Sequence, residues 1–133
     1  MRIMIVEDDL YSRKIMLKFM ERYGTCSGVR DGLEAVAAFM EVAETDDYFG
    51  LVLLDIFMPN IDGIQTLRII RDYEENKGIS KDRRTVVVMM TAINDQKTIE
   101  DCESLGIGGY FTKPIDLNEL GLRLQALGFD RQP

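Results

Sequence analysis

Apolar residues fall along this chain in two rhythms. Unbroken runs at Ile3-Met4-Ile5-Val6, Leu51-Val52-Leu53-Leu54 and Val86-Val87-Val88-Met89-Met90 predict strands buried on both faces, since a half-exposed strand alternates instead. Two weaker runs, Thr25-Cys26-Ser27 and Gly109-Tyr110-Phe111-Thr112, complete a set of five. Between the runs, apolar residues recur at helical spacing. Tyr11, Ile15, Phe19 and Tyr23 predict a helix ending by Gly24. Val36, Phe39 and Met40 predict another, capped by Asp31-Gly32-Leu33-Glu34 and reaching about Ala43. Ile64, Leu67, Ile70 and Tyr73 predict a third, which starts at Asp62-Gly63 and runs towards Gly78. Ile99, Cys102 and Leu105 mark a fourth, closed by Gly106. Leu117, Leu120, Leu124 and Leu127 mark a fifth, capped by Asp116 with Glu119 and stopped by Gly128.

Strict alternation of strand and helix implies right-handed crossovers and an α/β fold: a doubly wound five-stranded parallel sheet with helices on both faces, in one domain over residues 1–133. Between Asp72 and Arg84 eight of thirteen residues are charged, so the end of the third helix and the following loop are expected to be solvated.

Composition removes several function classes. The 16 basic and 23 acidic residues leave a net charge of −7, and no basic run offers a nucleic-acid surface. Histidine is absent, which excludes a histidine base, histidine metal ligands and phosphotransfer through a histidine of this chain. Cys26 and Cys102 lack metal-ligand spacing and fit reduced thiols. Neither a signal peptide nor a run long enough to span a membrane is visible, so the expected protein is soluble and cytoplasmic, without membrane insertion.

In a parallel sheet of this kind, ligands bind beyond the C-terminal strand ends. Those ends carry Glu7 and Asp8, Asp55, Thr91 and Lys113. Each has a plainer reading: acids ahead of a helix favour its dipole, Thr91 can simply end a strand, Lys113 can be a solvated charge, and Tyr110 can fill the sheet edge. Four separate loops delivering an acid pair, an acid, a hydroxyl and an ammonium to one edge point to more than chance. An all-oxygen acidic set suits Mg²⁺, whose charge together with that of Lys113 balances three carboxylates. Such a site can receive a phosphoryl group, with Asp55 as nucleophile and Thr91 and Lys113 pairing with phosphoryl oxygens. Two rival classes fit less well. A phosphohydrolase of the aspartyl-phosphate type needs a second acid at position 57, occupied here by Phe57. A flavodoxin-like cofactor carrier needs a phosphate-binding first loop, where Glu7-Asp8-Asp9 would repel the phosphate.

Glu7-Asp8-Asp9, Asp55-Ile56-Phe57-Met58-Pro59-Asn60-Ile61-Asp62-Gly63, Thr91-Ala92 and Lys113-Pro114, in this order, resemble the receiver domain of two-component response regulators, from Ile3 to about Leu127. The resemblance implies the flavodoxin-like strand order 2-1-3-4-5. It also implies that Asp55 accepts phosphate from a sensor histidine kinase or histidine phosphotransfer protein. Mg²⁺ would be held by Asp8, by Asp55, by Glu7 through water and by the Phe57 backbone carbonyl. Thr91 and Tyr110 would form a switch that reshapes the face of the fourth helix, fifth strand and fifth helix for a downstream protein target. Pro114 would follow a cis bond, and Gly63 would be a structural position. Relatives with short-lived phosphorylation carry polar side chains where this chain has Phe57 and Ile93, so a long-lived phosphorylated state is expected. Because the chain ends soon after the fifth helix, a stand-alone receiver is expected. The alternatives are a fragment of a larger regulator and a receiver-like interaction module that phosphorylation does not regulate.

Overall fold

The computed structural model describes residues 1–132; Pro133, the last residue of the expected domain, lies outside the described residues. Five strands, β1 (Arg2–Val6), β2 (Thr25–Val29), β3 (Phe49–Asp55), β4 (Val86–Thr91) and β5 (Gly109–Thr112), alternate with α1 (Leu10–Met20), α2 (Gly32–Val42), α3 (Gly63–Asn76), α4 (Gln96–Leu105) and α5 (Leu117–Ala126). The strands are parallel and lie in the order β2-β1-β3-β4-β5. The weak Thr25 run is a strand and extends to Val29, and β3 begins two residues before its apolar run, at Phe49.

Unbroken apolar strands dictate two cores, because alternate side chains point to opposite faces. Met4, Val6, Val52, Leu54, Val87 and Met89 meet α2, α3 and α4 through Ala35, Phe39, Leu67, Ile70 and Cys102. Ile3, Ile5, Leu51, Leu53, Val88 and Met90 meet α1 and α5 through Met16, Met20, Leu120 and Leu124. Three aspartates expected at helix starts act as N-caps: Asp31 accepts from Glu34 N–H at 2.9 Å, Asp62 from Gln65 N–H at 2.9 Å and Asp116 from Asn118 N–H at 2.9 Å; Asp9 and Asp95 cap α1 and α4 in the same way, accepting from Ser12 N–H at 2.8 Å and Lys97 N–H at 3.0 Å.

Three expectations about facing are corrected. On α1 the buried stripe is Met16 and Met20, continued by Tyr23, while Tyr11 (76% exposed) and Ile15 (47%) face outward. The helix carries two overlapping apolar stripes, and the one that meets the sheet is that of Met16 and Met20, with Phe19 partly buried at its margin. On α2, Met40 is exposed and the close approach to the sheet is made by Ala35 and Phe39. Within the charged stretch, Glu74 is buried. Its carboxylate accepts from Arg71 Nη1 at 2.7 Å and from Thr85 N–H at 2.8 Å, two bonds that offset its desolvation.

Candidate functional site

Register explains why distant residues converge. Val6 lies opposite Leu54, Asp55 opposite Met90, and Thr91 opposite Thr112, so Glu7, Asp55, Thr91 and Lys113 all stand at one edge of the sheet. The chain turns away from Asp55 through Asn60, whose φ of 72° lies in the left-handed region and whose amide donates to Asp31 at 3.1 Å. Gly63 then begins α3 directly against the strand end: its N–H donates to the Ile56 carbonyl at 2.8 Å, and a Cβ there would stand 2.2 Å from the Asp55 carbonyl oxygen. Any larger residue would push the Asp55 backbone out of place.

Asp55 and Glu7 are buried, at 3% and 1% exposure, whereas Asp8 is open to solvent. One oxygen from each of the three lies within 4.8 Å of the others, a spacing and donor set that fit a hard divalent cation such as Mg²⁺. Lys113 Nζ donates to Glu7 Oε1 at 2.5 Å and to Asp55 Oδ2 at 3.1 Å, while the Phe57 N–H reaches Asp55 Oδ1 at 3.3 Å. Burial pushes the Glu7 carboxyl above its ordinary range; the Asp55 carboxylate adds to this and Lys113 opposes it. Loss of water around its carboxyl, and then Glu7 beside it, raise Asp8 in the same direction, although much of that residue's surface remains open. Burial disfavours the Lys113 ammonium, but its bonds to Glu7 and Asp55 outweigh that and hold its pKa above the usual lysine value. The cation therefore stays charged between the two buried acids.

Thr91 is fully buried, and its Oγ1 accepts from the Ile93 N–H at 3.1 Å. The Tyr110 hydroxyl donates to the Ile93 carbonyl at 2.8 Å. Both side chains therefore end on the backbone of one residue in the β4–α4 loop. The peptide bond between Lys113 and Pro114 is cis. Of the three acids after β1, only Asp9 serves as the helix cap. Two contacts escaped sequence reasoning: the direct pairing of Lys113 with Glu7, and the Arg13 guanidinium on the Glu7 carbonyl at 2.8 Å. An arginine five residues after an acid pair is the only local signal of the second.

The chain matches the response regulator receiver domain over residues 3–125. It is 35% identical over 126 residues to the transcriptional regulatory protein CiaR of Streptococcus pneumoniae, covering 95% of this chain and 50% of that protein. It spans half or less of the length of the first curated relatives it matches, which include the peroxide stress-activated histidine kinase mak1 of Schizosaccharomyces pombe. Among solved structures, the CheX-CheY-BeF3-Mg²⁺ complex of Borrelia burgdorferi aligns with a TM-score of 0.78 at 25% identity, covering 97% of this chain and 90% of that one. The complex of the Saccharomyces cerevisiae histidine phosphotransfer protein Ypd1 with the receiver domain of Ssk1 aligns with a TM-score of 0.77 at 26% identity, covering 90% and 83%. No helix among the described residues is long and apolar enough to cross a membrane. Sheet order, strand-end site and family match agree: this chain belongs to the response regulator receiver domain family of two-component signalling.

Proposed function

We propose that the chain is a Mg²⁺-dependent phospho-acceptor switch. Asp55 takes a phosphoryl group from a phosphohistidine of a sensor histidine kinase or histidine phosphotransfer protein in the cytoplasm, and the change is passed to a downstream protein. The observation that carries this reading is the Asp55 carboxylate itself: it stands at a sheet edge with Lys113 on one oxygen, the Phe57 amide near the other, and the Glu7 and Asp8 oxygens beside it. The likeness to the Ssk1 receiver, solved with a histidine phosphotransfer protein, supports the class of donor. The likeness to a receiver solved with BeF3 and Mg²⁺ supports the class of cofactor.

An Asp55 oxygen attacks phosphorus. The new P–O bond forms as the P–N bond to the donor imidazole breaks, and the imidazole leaves with the electron pair and takes a proton from solvent. Asp8, Asp55, the Phe57 carbonyl and Glu7 would hold Mg²⁺, which when bound neutralises charge on the phosphoryl oxygens. Lys113 turns its ammonium towards the same oxygens and positions the nucleophile. Thr91 donates its hydroxyl to the phosphoryl group and in doing so releases the Ile93 amide. Tyr110, which holds the carbonyl of the same residue, then changes its position, and the α4/β5/α5 face presents a different surface. Later attack of water on phosphorus returns the free Asp55, so the chain assists both its own phosphorylation and its own reset without acting on a separate substrate.

The test is incubation with a small phosphodonor and Mg²⁺, followed by intact mass and peptide mapping. One phosphoryl group on Asp55, lost in Asp55→Ala and suppressed by chelation of Mg²⁺, is the expected result. No mass gain in the wild type overturns the reading.

A further inference from the structure

Glu7 is the residue on which the chain leaves β1, and its backbone is held from two sides. Its N–H donates to the Val29 carbonyl at the end of β2 at 3.1 Å. Its carbonyl accepts from Arg13 Nη1, on the first turns of α1, at 2.8 Å. A guanidinium on a carbonyl is a charge-assisted bond, stronger than the neutral pairs that orient most loop peptides. The peptide it fixes is the one joining Glu7 to Asp8, so its orientation determines where the Asp8 Cα and carboxylate stand.

A second observation concerns the route by which Arg13 gets there. Its stem runs beside β2 at Gly28, where a Cβ would stand 3.2 Å from Arg13 Cδ and 3.3 Å from Arg13 Cγ, as well as 3.0 Å from Leu17 Cδ1. The absence of a side chain at position 28 leaves the arginine its path. A branched residue there would push the stem aside without changing any charge.

The geometry points to Arg13 as a positioning residue for the metal-binding loop: by holding the Glu7 carbonyl it sets Asp8 in place for Mg²⁺, and Gly28 keeps its path open. This rests on the reading of Glu7, Asp8 and Asp55 as a Mg²⁺ site. Arg13 touches neither the ion nor the phosphoryl group and acts through one peptide. Charge alone argues for the opposite outcome, because removing a cation from the backbone of the metal-binding loop strengthens the attraction of its carboxylates for Mg²⁺. The sign of the effect therefore separates positioning from simple electrostatics.

Mg²⁺ is titrated into unphosphorylated wild type, Arg13→Met and Gly28→Val, with binding followed by amide chemical shifts and melting temperature measured without Mg²⁺. Arg13→Met is expected to bind Mg²⁺ about tenfold more weakly, the lower end of the effect of groups that orient metal ligands. Gly28→Val, with every charge retained, is expected to weaken it in the same direction. Phosphorylation from a small phosphodonor then slows at limiting Mg²⁺, and the deficit closes as Mg²⁺ approaches saturation. Unchanged or tighter Mg²⁺ binding by Arg13→Met overturns the inference, whether or not the melting temperature falls. If Arg13→Met does not fold, Arg13→Lys, which lacks the forked reach, takes its place under the same criterion. A wild type that binds Mg²⁺ but takes no phosphoryl group overturns the proposed function alone; a wild type that binds no Mg²⁺ overturns both.

Discussion

Replacing Lys113 by methionine keeps the aliphatic stem, removes the ammonium, and leaves Glu7 and Asp55 as buried like charges without their shared partner, which stood 2.5 Å and 3.1 Å away. Breaking a buried ion pair from one side costs about 3–5 kcal/mol when the remaining charge is trapped. Here a proton sets a ceiling, because Glu7 already titrates above its ordinary value of 4.5 and can be neutralised. Protonating a carboxyl of that ordinary value at pH 7 costs about 3.4 kcal/mol, from about 2.5 pH units at about 1.36 kcal/mol each. The expected loss at pH 7 without Mg²⁺ is therefore about 3 kcal/mol. At pH 5 the same proton costs under about 1 kcal/mol, and most of the loss disappears. The direction follows from linkage. A carboxyl whose folded pKa lies above its unfolded one contributes stability that is full below the unfolded value and is lost as pH rises through the folded value. Urea denaturation of wild type and Lys113→Met in chelator, at pH 7 and at pH 5, measures both quantities. Mg²⁺ added at pH 7 is expected to restore more stability to the variant than to the wild type, since it supplies the missing positive charge. A loss below about 1 kcal/mol at pH 7, or an equal loss at the two pH values, refutes the reasoning.

Arg71→Met strands the buried Glu74 carboxylate and frees the Gly106 carbonyl, which Arg71 holds at 2.8 Å and 3.2 Å, and the Thr85 carbonyl, so chemical denaturation is expected to show a loss of about 3–4 kcal/mol, of which the double variant with Glu74→Leu regains only part, because the buried Thr85 N–H then loses its acceptor. Phe57→Asn places a polar side chain beside Asp55 and is expected to speed loss of the phosphoryl group, read by intact mass over time; a rate no faster than wild type refutes the role given to that position. Burial raises the Cys102 thiol to about 11, so at pH 8 an alkylating reagent is expected to modify half-buried Cys26 before Cys102, and to reach Cys102 readily only in urea, as read from peptide masses.

The sheet was legible because three strands are apolar without interruption, a pattern that few other environments tolerate. Three of the helix starts were legible from the aspartate in front of each, which accepts free N–H groups of its first turn; α1 and α4 carry the same cap in Asp9 and Asp95. What failed was facing, where two solutions were locally equivalent. Of the expected Tyr11, Ile15, Phe19 and Tyr23, the first two face outward while Phe19 and Tyr23 reach the core, and Met16 and Met20, which repeat at helical spacing equally well, take the buried positions. Glu74 failed for a different reason. Its neighbours in sequence are charged and solvated, and two of the groups that make its burial tolerable, the Thr85 N–H and the Arg71 guanidinium anchored on Gly106, come together only when β4 and α4 are in place.

The site was legible for a physical reason that does not extend to its wiring. A parallel sheet sends every strand end to the same edge, so residues that terminate apolar runs must become neighbours whatever lies between them in sequence. Side-chain direction beyond that edge is set by single hydrogen bonds, and these have no periodic signature. Ile93 illustrates the consequence. Thr91 holds its N–H and Tyr110 holds its carbonyl, and α4 begins three residues later with Cys102 as its one buried side chain. The far end of α4 is fixed differently, by the Arg71 guanidinium on Gly106. A helix pinned at its C-terminal end and tethered at the other through one loop residue is most easily displaced at its N-terminus. In the proposed switch, withdrawal of the Thr91 hydroxyl towards the phosphoryl group removes one of the two bonds of that tether, so the first displacement is expected in the β4–α4 loop and not at the Arg71 anchor.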